Sequence, residues 1–216
     1  MMSFTTWLAF FGAAWVIALS PGSGAVLAMS HGLSYGLKKS SMTVIGMQTG
    51  LLLIFLVAGA GVGSLLLASE WAFGVVKVVG ALYLIWLGIA QWRAKAAIAT
   101  GDTLNASAMP SARKRFLIGF FTNVTNPKGI LFMVAVLPQF ISTQQPLLPQ
   151  LLILGLTMVS VDITVMHGYA FAASSMQRFF QNARAVAIQN KVFGSVLVMV
   201  GAGLFFVKRS VAAAQG

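Results

Sequence analysis

The sequence predicts an all-α integral membrane protein with six transmembrane helices in a 3+3 inverted repeat, the first and fourth helices broken at proline. Three observations lead there. Of 216 residues, 58% are hydrophobic and 8% charged, and mean hydropathy is +0.89, whereas a soluble domain carries about a quarter charged residues. Six apolar stretches approach or exceed the roughly 20 residues that a crossing needs. Runs such as Leu51 to Val57 are apolar on every side, without the alternation of a membrane β-barrel.

The first span runs from Phe4 to Met29. Met1 to Thr6 has no basic residue, and cleavage after the small pair Ala18 and Ser20 would set Pro21 beside the scissile bond. This span is therefore expected to stay in the mature protein. The others run from Thr43 to Leu67, Trp71 to Trp92, Phe116 to Phe140, Leu147 to Ala172 and Val192 to Val207. One long polar linker separates spans three and four, which divides the chain into a first three-helix repeat (1–93), a linker (94–115) and a second repeat (116–216).

The charges orient these spans. There are 14 Lys and Arg against 3 Asp and Glu, a formal net charge of +11, which in a soluble protein would suggest nucleic acid. Ten of the 14 fall in the connections after spans one, three and five: Lys38, Lys39, Arg93, Lys95, Arg113, Lys114, Arg115, Arg178, Arg184 and Lys191. The positive-inside bias puts those connections, the 94–115 linker included, in the cytoplasm and both termini in the periplasm, although Lys208 and Arg209 in the tail pull the other way. The excess charge thus records orientation, and nucleic acid is excluded as a partner. Cysteine is absent, which removes disulfides, thiolate metal sites and cysteine nucleophiles. No Walker loop is present, so energy must come from a gradient.

The halves match internally. Span three opens with Lys77-Val-Val-Gly80 and span six is approached by Lys191-Val-Phe-Gly194; span one holds Leu19-Ser-Pro-Gly22 and span four Thr125-Asn-Pro-Lys-Gly129. With three spans per half, the second half enters from the opposite side, the architecture of alternating-access transporters.

Each half thus opens on a span broken by proline, which removes a donor and frees carbonyls that hydrocarbon cannot satisfy. Such breaks are tolerated where they line a cavity. In Ser20-Pro21-Gly22-Ser23-Gly24, the glycine amides and serine hydroxyls can receive a carboxylate, or the segment is a kink that lets helices pack. Thr125-Asn126-Pro127-Lys128 adds an ammonium deep in a span, at a cost of at least about 2.5 kcal/mol if unpaired. Asp162 is the one acid deep in a span, about 15 residues past Leu147 and so near the midplane. Lys128 and Asp162 are expected to lie opposite one another across a polar cavity, with Asp162 exchanging protons; the alternative is a static ion pair. Gln48 and Thr49 need partners inside span two, from the cavity or from a neighbouring helix.

The remaining groups read structurally. His167 is about 140° round the helix from Asp162 and is expected to pack between helices. His31 adjoins the loop and is expected to be solvated, and Lys77 to snorkel outward near Glu70. Gly59, Gly61, Gly63, Gly201 and Gly203 look like close-packing positions. An intramembrane hydrolase using Ser23 and His167 lacks any feature that brings the two together. One intramembrane carboxylate and one histidine are too few for a transition-metal site, and no cofactor is implied.

Taken in order, Leu19 to Ala25, Gln48 to Leu51, Gly80 to Gly88, Asn123 to Lys128, Leu137 to Ile141, Val161-Asp162 and Asn190 to Gly194 resemble the LysE/RhtB family of amino-acid exporters over nearly the whole chain. The family's Ser-Pro-Gly and Asn-Pro-Lys signatures fall on Ser20, Pro21, Gly22 and on Asn126, Pro127, Lys128. The commoner first signature ends in proline where this chain has Ser23, as do the homoserine-type members. The resemblance implies a multi-pass bacterial inner-membrane exporter, driven by the proton motive force, for homoserine, its lactone or threonine. A zwitterionic substrate needs an anion site and a cation site, here the Gly22 to Gly24 amides or Lys128 for its carboxylate and Asp162 for its ammonium. Its partners would be substrate, protons and lipid, with a second copy of the chain a candidate. The rival class is a membrane scaffold with no flux of its own.

Overall fold

The structure, a computed structural model, describes residues 2–68, 70–93, 109–142, 144–175 and 183–204. Among these residues all regular structure is helical: α1 (Phe4–Leu19), α2 (Ser23–Ala68), α3 (Glu70–Arg93), α4 (Ala112–Val124), α5 (Pro127–Val136) with a 3-10 turn at Leu137–Phe140, α6 (Leu147–Ser175) and α7 (Ala183–Leu204). Side-chain oxygens start three of them. Ser3 accepts from the Thr6 amide, Ser111 from Lys114 and Asn126 from Lys128, each satisfying an otherwise orphaned donor. Pro127 opens α5, where its missing N–H costs nothing.

Two boundaries differ from the sequence expectation. The spans expected to end at Met29 and to begin at Thr43 belong to one element, α2, redirected at the single residue Gly36 (φ 73°, ψ 166°). That region of backbone space is essentially restricted to glycine. A polar stretch including Lys38 and Lys39 suggested a loop, but one glycine makes the change of direction and the polar residues continue the helix. At the other boundary, α4 begins at Ala112, so Arg113 to Arg115, expected in the linker, form its first turn. The linker from 94 to 108, the tail with Lys208 and Arg209, and the side chains of Glu70 and Lys77 lie outside the described residues.

By length and composition, Ser23–Gly61 and Leu147–Ser175 can each cross a membrane, and α4 with Pro127–Phe140, bent by 49° at the break, is apolar enough taken together to form a broken span or a re-entrant loop. Phe4–Leu19, Val78–Ala90 and Asn190–Gly203 are shorter apolar helices. Large apolar side chains such as Leu56, Val57, Trp71, Trp86, Leu148 and Leu156 are exposed, while Ser20, Gln48, Asn123, Asn126 and Asp162 are buried. This polar-inside, apolar-outside distribution suits hydrocarbon as the surrounding solvent.

Helix directions follow from residue pairings. Gln48 meets Asp162, Phe55 meets Gly155 and Gly59 meets Leu151, so α2 and α6 are antiparallel. Gly88 faces Gly194 and Ala81 faces Gly201, so α3 and α7 are antiparallel. Gly46 lies against Phe116 and Gly50 against Phe120, so α2 and α4 run the same way. At these crossings backbone touches backbone: a Cβ on Gly46 or Gly119 would fall on the carbonyl of Phe116 or Thr43. Of the glycines expected to pack closely, Gly59 and Gly201 do so, a Cβ on Gly61 or Gly203 would meet nothing within 4 Å, and Gly63 lies outside the residues whose surroundings are described. Hydropathy alone does not distinguish a glycine facing lipid from one under a neighbouring helix.

Candidate functional site

The site is built where the two helix breaks meet. α1 stops at Leu19 and α2 starts at Ser23; α4 stops at Val124 and α5 starts at Pro127. Every helix end leaves carbonyls or amides without intrahelical partners, and in hydrocarbon these must be satisfied by protein. Lys128 Nζ donates to the carbonyl of Ile17 at 3.0 Å and to that of Ser20 at 2.6 Å. The Tyr169 hydroxyl donates to the carbonyl of Leu19 at 2.7 Å. The ammonium thus sits on the C-terminal end of α1, where the helix dipole favours a cation. Gly22 lets it approach, since a Cβ there would lie 3.2 Å from Nζ.

Asp162, on α6, is also buried. Its Oδ2 accepts from Gln48 Nε2 at 2.6 Å. Among the described residues Asp162 and Lys128 form no direct ion pair, although each charge acts on the other. The direct, static ion pair that stood as the alternative reading of these two charges is therefore not formed. The physical reason is that each already has acceptors or donors: peptide carbonyls freed by the α1 break for the ammonium, and the Gln48 amide for the carboxylate. Gln48 Oε1 is buried and has no partner among the described residues, so an acceptor remains open beside Asp162.

The other expected residues fall around this centre. Ser20 is fully buried, Pro21 and Gly22 are half-buried, and Ser23 is exposed. Gly24 is buried, with the sulfurs of Met47 and Met166 within 3.8 Å of the Cβ it lacks. Asn126 caps α5 and Pro127 is its first residue. Thr49 turns back on its own helix, donating to the Ile45 carbonyl. His167 sits between its own turn and Ser41, with Nδ1 2.9 Å from the Ile163 carbonyl and Nε2 3.2 Å from Ser41 Oγ. It packs between helices as its helical phase implies, and Ser23 is not its partner.

Two residues of consequence were not singled out from sequence, and a third was expected in another environment. Asn123 donates to the Met47 carbonyl at 2.7 Å and ties α4 to the turn of α2 that carries Gln48. Tyr169 covers the third carbonyl of the α1 break. His31, expected in solvent, is buried 2.6 Å from Thr43 Oγ1 and joins the two parts of α2 across Gly36. The signal for His31 is its position before Gly36, but only the bend brings Thr43 to it.

Comparison with known proteins identifies relatives over nearly the whole chain. Residues 15–208 match the family described as LysE type translocator. A homoserine/homoserine lactone efflux protein of Salmonella typhi is 42% identical over 202 residues, covering 93% of this chain and 96% of that protein. An uncharacterized membrane protein of Vibrio cholerae is 41% identical over 201 residues, covering 93% of this chain and 96% of its own length. A leucine efflux protein of Klebsiella pneumoniae is 31% identical over 209 residues, with 94% and 95% covered. No solved structure matches. The match over almost the full length, on a helical protein with a polar centre inside an apolar exterior, establishes that this chain belongs to the LysE type translocator family and is a membrane transporter for amino-acid efflux, not an enzyme.

Proposed function

We propose that this transporter exports homoserine, homoserine lactone or threonine across the bacterial inner membrane by proton antiport. Its six spans form two inverted halves, with the 94–115 linker cytoplasmic and both termini periplasmic. The observation that carries the reading is the meeting of two helix breaks on Lys128, with the Gln48–Asp162 pair on the adjoining helices. The antiparallel α2–α6 and α3–α7 crossings support the inverted halves, since equivalent spans of such a repeat run in opposite directions.

A zwitterion leaving water needs both charges received. Lys128 and the first amides of α2, which begins beside Gly22, take the carboxylate. Asp162 and the open Oε1 of Gln48 take the ammonium. A proton on Asp162 removes its attraction for that ammonium, so substrate and proton compete for one carboxylate. Competition of this kind couples their movements.

Counterflow of labelled homoserine, homoserine lactone, threonine and leucine in proteoliposomes tests the assignment. Saturable exchange of the first three, accelerated by an imposed pH gradient, is expected. A purified, correctly inserted protein that exchanges none of them, or ignores the gradient, overturns it.

A further inference from the structure

Arg115 is the one arginine recorded as buried among the described residues, at 5% exposure, and the site at Lys128 does not use it. It lies in the first turn of α4, about 20 Å of helical path before Lys128 at 1.5 Å per residue. Its Nη1 donates to the Pro110 carbonyl, its guanidinium lies 5.9 Å over the Tyr35 ring, and its Nε is buried with no partner among the described residues. His31 packs edge-on against Tyr35 at 5.0 Å, and the charge of Arg115 acts on it. An unpaired buried donor on a charged group is expensive. The flanking sequence supplies no counter-ion: Lys38, Lys39, Arg113 and Lys114 are basic, and 31–39 and 109–119 contain no acidic residue.

The unfilled Nε edge of a guanidinium is the side that receives a carboxylate through two parallel hydrogen bonds. Tyr35 and His31 restrict the space around it, and the surrounding basic residues draw anions toward this end. Both Tyr35 and His31 precede the redirection of α2 at Gly36, and that bend sets the position of the two rings relative to the rest of α2.

We propose that Arg115, with Tyr35 and His31, forms a second carboxylate-binding subsite at the linker end, which selects amino acids bearing a free carboxylate before they reach Lys128. This rests on the exporter reading above.

Homoserine and its lactone separate the two. Both carry the ammonium that Asp162 receives, but only homoserine has a free carboxylate. In proteoliposome counterflow, Arg115→Gln should lower the ratio of kcat/KM for homoserine to that for the lactone by about tenfold or more, the loss expected of one charge-assisted pair. Arg115→Lys keeps the charge without the fork and should give an intermediate ratio. Because the readout is a ratio within one preparation, partial misfolding does not mimic it, and Arg115→Lys decides the matter if Arg115→Gln fails to insert. Equal losses for both substrates would make Arg115 a packing residue and overturn the proposal. So would the same ratio change in Asp102→Asn, because the linker carboxylate would then be the guanidinium's partner. Wild-type protein that moves neither substrate removes the homoserine-export reading and this inference with it; active wild type with an unchanged Arg115→Gln ratio removes the inference alone.

Discussion

Lys128 Nζ and the Ser20 carbonyl, 108 residues apart in sequence, meet at 2.6 Å. This bond and its companion to Ile17 close the accounts of two helix breaks together. The carbonyls that Pro21 sets free receive the ammonium that Pro127 places at the start of α5. Neither break is stable in hydrocarbon by itself, because one leaves bare acceptors and the other a bare cation.

Removing the ammonium should therefore have two effects. Lys128→Ala is expected to abolish saturable substrate binding in purified protein and to destabilise it by about 1–3 kcal/mol through the abandoned carbonyls. Binding by equilibrium dialysis and detergent-solubilised thermal unfolding measure them separately. Wild-type affinity in a folded Lys128→Ala protein would refute the carboxylate assignment.

Asp162→Asn keeps the shape and a hydrogen-bonding group near Gln48 but can neither bear the negative charge nor exchange a proton. Acceleration of substrate exchange by an imposed pH gradient should be lost and substrate affinity should fall with it, while the protein still inserts. Undiminished proton-coupled flux would eliminate the relay.

Tyr169→Phe deletes one hydroxyl and leaves the Leu19 carbonyl of the α1 break without its donor. A loss of about 1–3 kcal/mol in unfolding free energy is expected from one buried unsatisfied acceptor. A thermal transition identical to wild type would show that another group covers that carbonyl.

Three glycine-to-alanine changes should differ in sign for reasons visible in their surroundings. Gly46→Ala forces α2 off α4, since the new methyl meets the Phe116 carbonyl, and a marked drop in thermal stability is expected. Gly36→Ala meets no atom within 4 Å, but its backbone lies where only glycine is comfortable, so a cost of about 1–3 kcal/mol is expected. Gly12→Ala, also with nothing within 4 Å and in regular helix, should be neutral or stabilising by up to about 1 kcal/mol. Unfolding curves for the three, measured in the same detergent, check the order.

Much of this site is legible in one dimension because its determinants are local. Pro21 and Pro127 can only mark breaks inside apolar runs, and Lys128 and Asp162 stand out where charge is costly. What sequence spacing does not supply is who answers whom. Opposite charges at similar depth invite pairing, yet the peptide carbonyls at Ile17 and Ser20 carry no letter of their own, so the lysine's true acceptors are invisible to a reading of side chains. Gln48 and Asn123 are similar cases: both are plainly polar groups needing partners, but only the α2–α4 and α2–α6 crossings choose Asp162 and the Met47 carbonyl. Gly36 shows the same limit at the level of the fold. The polar stretch with Lys38 and Lys39 reads as a loop, and only the positive φ of Gly36 shows that one residue does the work of the turn.

Because Lys128 is held by peptide oxygens, its binding partners cannot be mutated away by changing the identity of residue 17 or 20. They are created by the place where the helix stops. Drift at those two positions can alter size and polarity around the site without removing the acceptors themselves, whereas a change that lets α1 run on through residue 21 would erase the contact with every side chain at its end intact. Tuning for different cargo can therefore accumulate around a contact that depends on chain geometry rather than on residue identity.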